Sequence, residues 1–391
     1  MSKNARISVA TCNFNRRDLL LDAIAALLAQ ERAEILKIHV VDNGSIDGSA
    51  DAVSNLNNPQ VQCIKLLENS GSSGGFYRAI AEALKDEPDY ILVLDSDCIL
   101  QPGVLAVLVR KLEENPVIGV VGPKIYQALR PGFLQELGAF IDWQQGEVRP
   151  HCQNHDEAVK GIVLDELEVD YVPACALLVR AAALSKAGSF RPDFFLYWDD
   201  IEWQTRIRRA GYGILATAAA SVQHYWGVTE KKSLLTTYYS WRNRLPFFRE
   251  YAPEGVWPLT KQQIMTSAAT GIATCQLLAM PRTAMIIERA VRDGLAGRLG
   301  RTHFAAGELD VDPVWSPEAH YPDETGRCLS YQQVSHIFDD PVIEGNEIVN
   351  ELLEDRFGKR LPGRVAQRLR PQFLALRQQV KKQLLALPSL S

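Results

Sequence analysis

The sequence predicts an α/β fold with a mostly parallel central sheet flanked by helices, followed by a mainly α-helical C-terminal region. Short apolar segments typical of buried strands alternate with segments of helical periodicity over roughly the first hundred residues. Polar or glycine-rich segments follow these strands directly, and helical patterns dominate after about residue 229. Strands that alternate with helices form βαβ units, so we expect both faces of the sheet to be covered.

Four strands and three helices are predicted in this first part of the chain. The strands fall at residues 7–11, 38–41, 61–66 and 90–94, and the helices at residues 18–30, 47–56 and 76–84. The carboxyl ends of parallel strands meet at one edge of a sheet, where ligands bind in such folds. We therefore expect the polar residues that follow the strands to gather along one edge: Asp42, Asn69, Gly74 and Asp95.

The middle of the chain is mixed in pattern. Residues 172–179 predict an apolar strand, and residues 201–210 predict a helix that Asp199 and Asp200 cap at its start. Because the glycine-rich strand ends stop at about the same point, we predict a first domain over residues 1–229 and a second, helical one over residues 230–391.

The last part of the chain is basic. Residues 359–391 contain eight Lys or Arg residues and no acidic residue, and apolar residues interleave with the basic ones. This amphipathic tail is predicted to be a helix that either lies on an anionic membrane or docks on its own protein. Pro371 is expected to break or kink it.

Composition and charge narrow the class of protein. A net charge of −5 argues against a general nucleic-acid-binding protein. The seven cysteines are scattered and include no Cys-x-x-Cys, which favours a reducing compartment. The first residues show no secretory-signal pattern, and no apolar run reaches the ~20 residues of a membrane-spanning helix. We therefore expect a cytoplasmic protein, which the basic tail could attach to the inner face of the cytoplasmic membrane.

Asp95-Ser96-Asp97 closes a predicted strand and is the first candidate site. Two carboxylates at positions i and i+2 can converge on one divalent cation, which takes oxygen ligands and can bridge to phosphates. His224 could add an imidazole ligand, although a single His is more often a satisfied core or turn residue. The segment 151–155 also has ligand-type residues, but no second Cys/His pair completes a zinc site.

Two strand ends each allow a binding and a structural interpretation. Asp42-Asn43-Gly44-Ser45 could bind a base or ribose, or could form an Asx turn. The Gly-Ser-Ser-Gly-Gly at residues 71–75 could bring the backbone close to a phosphate, or could form a tight turn at the start of a helix. Its glycine spacing disfavours kinase, ATPase and dinucleotide-dehydrogenase functions.

Three carboxylates lie between two tryptophans in the segment Trp198-Asp199-Asp200-Ile201-Glu202-Trp203. Neighbouring like charges raise one another's pKa, and such groups often mark working sites. A deprotonated carboxylate that faces a sugar hydroxyl is a suitable general base. The alternative is a capped, solvated helix start, which would not need the tryptophans.

Together these motifs resemble the family 2 glycosyltransferases, which have the GT-A fold. The resemblance spans about residues 5–228 and rests on six motifs in order: Thr11-Cys12-Asn13-Phe14-Asn15-Arg16, Val41-Asp42-Asn43-Gly44-Ser45, Asn69-x-Gly71-x-x-Gly74-Gly75, Asp95-Ser96-Asp97, Trp198-Asp199-Asp200-Ile201-Glu202 and His224. The segment Tyr238-Tyr239-Ser240-Trp241-Arg242-Asn243 further resembles the branch of rhamnosyl- and galactofuranosyltransferases. Within it, Trp-Asp-Asp-x-Glu is closer to the galactofuranosyltransferases.

The resemblance implies a role for each matching residue. The donor half is expected over about residues 1–100 and the acceptor half over about residues 101–229. The nucleotide sugar would contact Thr11, Asn13, Arg16, Asp42, Asn69, Gly74, Asp95, Ser96 and Arg242. A Mg²⁺ or Mn²⁺ ion would be held by Asp95, Asp97 and His224. Asp200 would be the catalytic base, and the acceptor would contact Trp198, Asp199, Glu202 and Trp203.

The function expected from these residues is that of a metal-dependent, inverting glycosyltransferase. It would move a sugar, with galactofuranose from UDP-galactofuranose as the leading choice, to a hydroxyl of a surface-polysaccharide or lipid-linked glycan. A dTDP-rhamnose-dependent rhamnosyltransferase is the first alternative, and a sugar-phosphate nucleotidyltransferase or a non-catalytic assembly protein is the second. The C-terminal region could instead form a homo-oligomer interface, and no nucleic-acid partner is expected.

Overall fold

A computed structural model of the chain describes residues 5–31, 33–158, 165–225, 234–277, 280–309, 320–322, 328–330 and 363–388. The chain divides into two units. The first comprises Met1–Asp142 and Val148–Lys231, and the second comprises Trp143–Glu147 and Lys232–Ser391. The domain boundary predicted between residues 229 and 230 lies outside the described residues and stays a prediction.

Within the described residues, the first unit contains a ten-stranded sheet and a separate two-stranded ladder. The strands are β1 (Arg6–Asn13), β2 (Glu34–Asp42), β3 (Val61–Lys65), β4 (Tyr90–Asp95), β5 (Cys98–Leu100), β6 (Ile118–Gln127), β7 (Leu134–Glu136), β8 (Ala139–Asp142), β9 (Glu147–Pro150), β10 (Leu167–Glu168), β11 (Ala176–Arg180) and β12 (Gly213–His224). The main sheet runs β10-β12-β6-β11-β4-β1-β2-β3, with β5 paired to β12 and β7 to β6, and the ladder pairs β8 with β9. The four strands β3, β2, β1 and β4 are parallel, as the βαβ pattern predicts, and β11 joins β4 in antiparallel orientation.

Helices cover both faces of this sheet. They are α1 (Arg17–Leu28), α2 (Ser49–Ser54), α3 (Gly71–Ala83), α4 (Val104–Glu114), α5 (Ala181–Ala187) and α6 (Asp199–Arg209). Leu92 and Leu94 of β4 join the core cluster that contains apolar residues of α1 and α4. Ile91 and Val93 point the other way and join the cluster formed with α3 and α6. Burial on both faces explains why these strands are continuous apolar runs in the sequence.

The helix predicted at residues 76–84 begins earlier, at Gly71, and two elements in the middle of the chain also differ from their predicted bounds. The strand predicted at residues 172–179 is β11, which begins only at Ala176. Pro173 has no N–H for the ladder, and the N–H of Ala176 turns back to its carbonyl oxygen at 3.4 Å. The helix predicted to start at residue 201 starts at Asp199, and Trp198 rather than an aspartate occupies its N-cap position, with φ of 65°.

The second unit is mainly helical, with α7 (Leu234–Tyr251), α8 (Trp257–Leu277), α9 (Pro281–Leu295) and α10 (Gly363–Leu385), and a short pair β13 (His320–Pro322) and β14 (Cys328–Ser330). α10 continues through Pro371, so the predicted break is absent. It packs against α8 and α9, and its Val380 and Leu384 are buried, in agreement with a helix docked on its own protein. Among the described residues, no helix has both the length and the apolar character required to cross a membrane.

Candidate active site

The carboxyl ends of β1, β2 and β4 lie side by side at one edge of the sheet. In the parallel ladders Asn13 is paired with Asp42, and Cys12 is paired with Asp95. Residue 69 follows β3 closely and leads into α3. The structure thus brings the polar strand ends to one edge, as the strand order predicts.

Asp95, Asp97 and His224 form a group that could hold a metal ion. Asp95 ends β4, Asp97 lies in the turn before β5, and His224 ends β12. Nε2 of His224 lies 3.4 Å from Oδ1 of Asp97 and 3.8 Å from Oδ2 of Asp95. One ligand atom from each residue lies within 4.8 Å of the others, and the described residues contain no other such group of His, Cys, Asp or Glu.

The surroundings of Asp97 fit a cation. Its side chain is 1% exposed, and its Oδ2 lies 2.6 Å from Nη1 of Arg16. Its Oδ1 is buried and has no hydrogen-bond partner among the described residues. A buried anionic oxygen is costly unless a cation or a donor compensates it, and a metal ion would do so. Burial raises the pKa of Asp97, but His224 and Arg16 outweigh this effect and bring that pKa below its usual value.

Asp95 is in a different environment from Asp97. Its side chain is 33% exposed, so it can reach a ligand at the surface of the edge. Partial burial and the neighbouring charge of Asp97 raise the pKa of Asp95 to about 6. The two carboxylates repel each other, and a divalent cation between them would relieve that repulsion.

The imidazole of His224 is held from its other side by a residue in β7. Nδ1 of His224 lies 2.8 Å from Oε1 of Gln135. An amide oxygen can only accept a hydrogen bond, so Nδ1 donates and Nε2 faces the carboxylates. No motif pointed to Gln135, because it lies 89 positions from His224 and only the folded sheet joins them.

Asp42 offers hydrogen-bond acceptors at the same edge. Its side chain is buried at the end of β2, and neither carboxylate oxygen has a partner among the described residues. Oδ1 of Asn13 is also buried without a partner in that part of the chain, while its Nδ2 donates to Oγ of Ser45 at 3.3 Å. Such oxygens can accept hydrogen bonds from N–H or O–H groups of a ligand.

Asn43 has a structural task instead. Its Oδ1 accepts hydrogen bonds from the N–H and the hydroxyl of Ser70, at 2.9 and 2.8 Å. Its Nδ2 donates to the carbonyl oxygen of Gly71 at 2.9 Å, and Oδ1 of Asn69 accepts from the N–H of Gly71 at 2.7 Å. The two asparagines therefore build the turn that leads into α3, and Asn43 bonds to Ser70 and Gly71 rather than within an Asx turn of its own.

Three glycines at the start of α3 permit close packing. Gly71 has φ of 75°, and a Cβ there would lie 2.0 Å from the carbonyl oxygen of Phe195. A Cβ on Gly75 would lie 2.1 Å from Sγ of Cys12, and one on Gly74 would lie 2.7 Å from the side chain of Ser70. These contacts account for the three glycines through packing.

Asp199 and Asp200 begin α6 and have different partners. Oδ2 of Asp199 accepts hydrogen bonds from the hydroxyls of Ser72 and Ser73, both at 2.9 Å. Oδ2 of Asp200 accepts from the N–H of Ala174 at 3.3 Å. Burial and the charge of Asp199 raise the pKa of Asp200 to about 7. Burial also raises the pKa of Asp199, although the two serines act in the opposite direction.

The backbone before α6 is unusual. Phe195, Tyr197 and Trp198 all have positive φ, at 67°, 62° and 65°. Left-handed backbone is unfavourable for residues with a Cβ and persists where the surroundings enforce it. Here the carbonyl oxygen of Phe195 accepts a hydrogen bond from the N–H of Ser73 at 3.2 Å, which fixes the segment on α3.

A family model for glycosyl transferase family 2 matches residues 8–181. This segment is a glycosyltransferase family 2 domain. The match contains Asp42, Asp95 and Asp97, whereas Asp200 and His224 follow it in the chain.

Two curated relatives belong to the predicted branch of the family. Galactofuranosyltransferase GlfT2 of Mycolicibacterium smegmatis is 24% identical over 346 residues, which cover 82% of this chain and 51% of that protein. N-acetylglucosaminyl-diphospho-decaprenol L-rhamnosyltransferase of Mycobacterium tuberculosis is 26% identical over 221 residues, which cover 51% of this chain and 68% of that protein. The chain thus spans about half the length of the galactofuranosyltransferase that it matches.

A solved structure shows the fold of the family 2 domain. GalNAc-T7, solved with UDP, GalNAc and Mn²⁺, aligns with a TM-score of 0.52 and 14% identity, covering 69% of this chain and 51% of that one. The fold is therefore the GT-A fold, as the sequence motifs predict.

Two of the predicted acceptor residues lie in the interior of the first unit. Glu202 is fully buried, and Nε of Arg206 lies 2.8 Å from its Oε1. Trp203 is buried against Phe190 and donates from Nε1 to the carbonyl oxygen of Gly188 at 3.0 Å. Both side chains hold α6 in place, because the helix turns them toward the core and away from the edge.

Two predicted donor residues donate hydrogen bonds to backbone carbonyl oxygens, and a third is buried. The hydroxyl of Thr11 donates to the carbonyl oxygen of Leu94 at 2.6 Å and so links β1 to β4. Ser96 is buried between the two aspartates of the metal group. Arg242 belongs to the second unit, where its Nη1 donates to the carbonyl oxygen of Gly300 at 2.6 Å. Its predicted contact with the diphosphate stays a prediction.

Proposed function

We propose that this chain is a metal-dependent, inverting glycosyltransferase that moves a sugar from a nucleoside diphosphate to a hydroxyl group of a glycan. The observation that carries the proposal is the group of Asp95, Asp97 and His224, whose ligand atoms lie within 4.8 Å of one another. Two of these residues, Asp95 and Asp97, lie in the family 2 domain. The buried residue Asp42 lies at the end of β2, at the same edge of the sheet.

Asp95, Asp97 and His224 would hold Mg²⁺ or Mn²⁺, since carboxylate and imidazole ligands suit such ions. A bound divalent cation supplies a Lewis acid that stabilises negative charge on the leaving diphosphate. Arg16, whose guanidinium lies at Asp97, can direct a further positive charge to a phosphate oxygen.

Asp200 is the proposed base. With a pKa of about 7 it can take the proton from an acceptor hydroxyl near neutral pH. Asp199 accepts two serine hydrogen bonds, and we propose that it orients its neighbour. One base beside the acceptor supports direct displacement at the sugar carbon, which inverts its configuration and needs no covalent intermediate.

Asp42 is proposed to recognise the nucleoside. Uracil and thymine both carry a ring N–H, and ribose carries hydroxyls, all of which can donate to its buried oxygens. This contact would serve UDP and dTDP alike, so it does not separate the two candidate donors.

The leading donor in this proposal is UDP-galactofuranose. The similarity to the galactofuranosyltransferase covers 82% of this chain, against 51% for the rhamnosyltransferase. A dTDP-rhamnose-dependent enzyme is the second candidate, supported by the latter relative. Its name includes a decaprenol diphosphate, and we extend that class of lipid-linked acceptor to this chain. The basic residues of α10 would be attracted to the anionic lipids at the cytoplasmic face of a membrane, where such an acceptor would lie.

The donor is tested by thermal shift of the full chain with UDP, dTDP, GDP and CDP sugars, each with and without Mn²⁺. We expect the largest stabilisation from UDP-galactofuranose with the metal, by mass action on the folded state. Absence of metal-dependent stabilisation by every donor would contradict the proposal, and a preference for dTDP-rhamnose would select the second candidate.

The base is tested by Asp200→Asn, with Asp18→Asn as the matched control on exposed helix surface. We expect Asp200→Asn to lose at least about a hundredfold in transfer rate while keeping donor and metal binding. Full transfer by Asp200→Asn would favour a non-catalytic assembly protein or a different base.

A further inference from the structure

We infer that Gln135 is a positioning residue for the metal site, because its amide oxygen holds His224 in the orientation in which Nε2 can bind a divalent cation. The inference rests on the proposed function, in which His224 is a metal ligand. It assigns a task to a side chain that carries no charge and belongs to none of the family motifs.

The geometry places the two ring nitrogens of His224 in different surroundings. Nδ1 lies 2.8 Å from Oε1 of Gln135, whereas Nε2 lies 3.4 Å from Oδ1 of Asp97 and 3.8 Å from Oδ2 of Asp95. The His224 side chain is buried, so water cannot easily replace the amide as the partner of Nδ1.

The chemistry of the amide fixes which nitrogen is available. Because Oε1 of Gln135 only accepts, Nδ1 of His224 must carry a proton, and the lone pair of a neutral ring then belongs to Nε2. Histidines that bind metals commonly donate their second ring N–H to such an acceptor, which sets the tautomer and the ring plane. Without the acceptor, the ring could rotate or place its proton on Nε2.

The fold holds Gln135 firmly enough for this task. β7 pairs with β6, and the buried residues Leu134 and Glu136 flank Gln135 on the strand, so its side chain points to the opposite face. The N–H of Leu134 also donates to the carbonyl oxygen of His155 at 2.8 Å. The amide therefore sits on a strand anchored on both sides.

A purely structural task for Gln135 would be to join β7 to the end of β12. Gln127, the last residue of β6, provides the control, because its side chain ties β6 to β7 in the same region through bonds that do not involve the imidazole of His224. Its Nε2 donates to the carbonyl oxygen of Leu134 at 3.2 Å and to Oδ1 of Asn154 at 2.6 Å. Loss of this side chain perturbs the same region and leaves the Nδ1 contact in place.

The experiment measures the Mn²⁺ dissociation constant of the full chain by electron paramagnetic resonance, for the wild type, Gln135→Leu, Gln135→Glu and Gln127→Leu. We expect Gln135→Leu to weaken Mn²⁺ binding about 10- to 100-fold. Gln135→Glu keeps an acceptor for Nδ1 and should retain wild-type affinity within about threefold, as should Gln127→Leu. A wild-type constant for Gln135→Leu, or equal weakening by Gln127→Leu, would overturn the inference while leaving the proposed function standing.

A second measurement guards against misfolding of the leucine variant. In ¹⁵N-histidine spectra of the Mg²⁺-loaded wild type, assigned with His224→Asn, we expect a proton on Nδ1 of His224 and none on Nε2. The opposite tautomer would overturn the inference. Failure of the wild type to bind Mn²⁺ at all would overturn both this inference and the proposed metal site.

Discussion

At the scale of single residues, Asp95 and Asp97 differ although one serine separates them. Asp95 is the last residue of β4 and remains partly exposed, whereas the turn that follows carries the Asp97 side chain inward to Arg16 and His224. The pKa values follow this division, since that of Asp95 is raised to about 6 and that of Asp97 is lowered. We expect Asp97 to bind metal directly and Asp95 to act partly through the ribose or water.

The pKa of Asp200 predicts the pH dependence of transfer. A base with a pKa raised to about 7 is ionised only above that value, so kcat should rise with pH through about 7 and then level off. Asp199→Asn removes the neighbouring charge and should move this rise to lower pH. The measurement is kcat against pH at saturating donor, acceptor and Mn²⁺, and a flat profile between about pH 6 and 8 would contradict the assignment.

Replacement of Arg16 is predicted to change the affinity for Mn²⁺ and the affinity for the nucleotide sugar in opposite directions. Arg16→Ala removes a positive charge 2.6 Å from Oδ2 of Asp97, so affinity for Mn²⁺ alone should rise by about fivefold to tenfold. Affinity for the nucleotide sugar should fall, because the same guanidinium is proposed to contact its diphosphate. Arg17→Ala is the control, since Arg17 pairs with exposed Asp18.

Calorimetric titration of each variant with Mn²⁺, and then with UDP in the presence of Mn²⁺, separates the two effects. Weaker Mn²⁺ binding by Arg16→Ala would show that the arginine supports the metal site by holding Asp97 in place.

At the scale of elements, α3 and α6 are joined at their starts. Asp199 of α6 accepts from two serines of α3, and the segment before α6 packs its Phe195 carbonyl oxygen against Gly71. The strand ends that are proposed to bind the donor are therefore connected to the proposed base, Asp200, through the buried contacts between α3 and α6. A displacement of the N-terminus of α3 should therefore displace the N-terminus of α6, and the reverse.

Substitution of two adjacent leucines in α10 distinguishes a helix docked on its own protein from a helix lying on a membrane. Leu384 is 2% exposed and Leu385 is 43% exposed, although they are adjacent. Leu384→Ala should lower the free energy of unfolding by about 2–4 kcal/mol, whereas Leu385→Ala should cost less than about 1 kcal/mol. Urea unfolding of both variants measures the difference, and equal effects would contradict the docked arrangement.

At the scale of the whole molecule, the second unit includes five residues from the middle of the first, Trp143–Glu147. The ring of Trp143 stacks on Phe247 with centroids 5.7 Å apart, and its carbonyl oxygen accepts from the hydroxyl of Thr260 at 2.6 Å. The first unit is therefore not a simple N-terminal segment of the chain.

This insertion predicts how truncation affects stability. A chain that ends after residue 231 removes Phe247 and Thr260 and leaves Trp143 without these partners, so we expect aggregation and a lower melting temperature. A chain that ends after residue 309 keeps both partners and should be the more stable of the two. Calorimetry and size-exclusion chromatography compare them, and equal melting temperatures would contradict the expectation.

The parts of the fold that depend on local pattern could be predicted from the sequence. β1 to β4 and their common edge follow from apolar runs and the polar residues after them, because neighbouring parallel strands end together. Gln135 and the serines of α3 could not be predicted, since their partners lie 89, 126 and 127 positions away. The motif around Glu202 and Trp203 predicted contacts with the acceptor, but it did not predict which side of α6 would face the core.

The left-handed backbone at Phe195, Tyr197 and Trp198 bears on any directed evolution of acceptor preference. Glycine and asparagine adopt positive φ more readily than other residues. A randomised library at Tyr197 should therefore enrich Gly and Asn for folding reasons, whatever sugar is used for selection. A parallel screen for soluble expression measures the enrichment that is due to folding alone. Only substitutions enriched above that level would report on recognition of the acceptor.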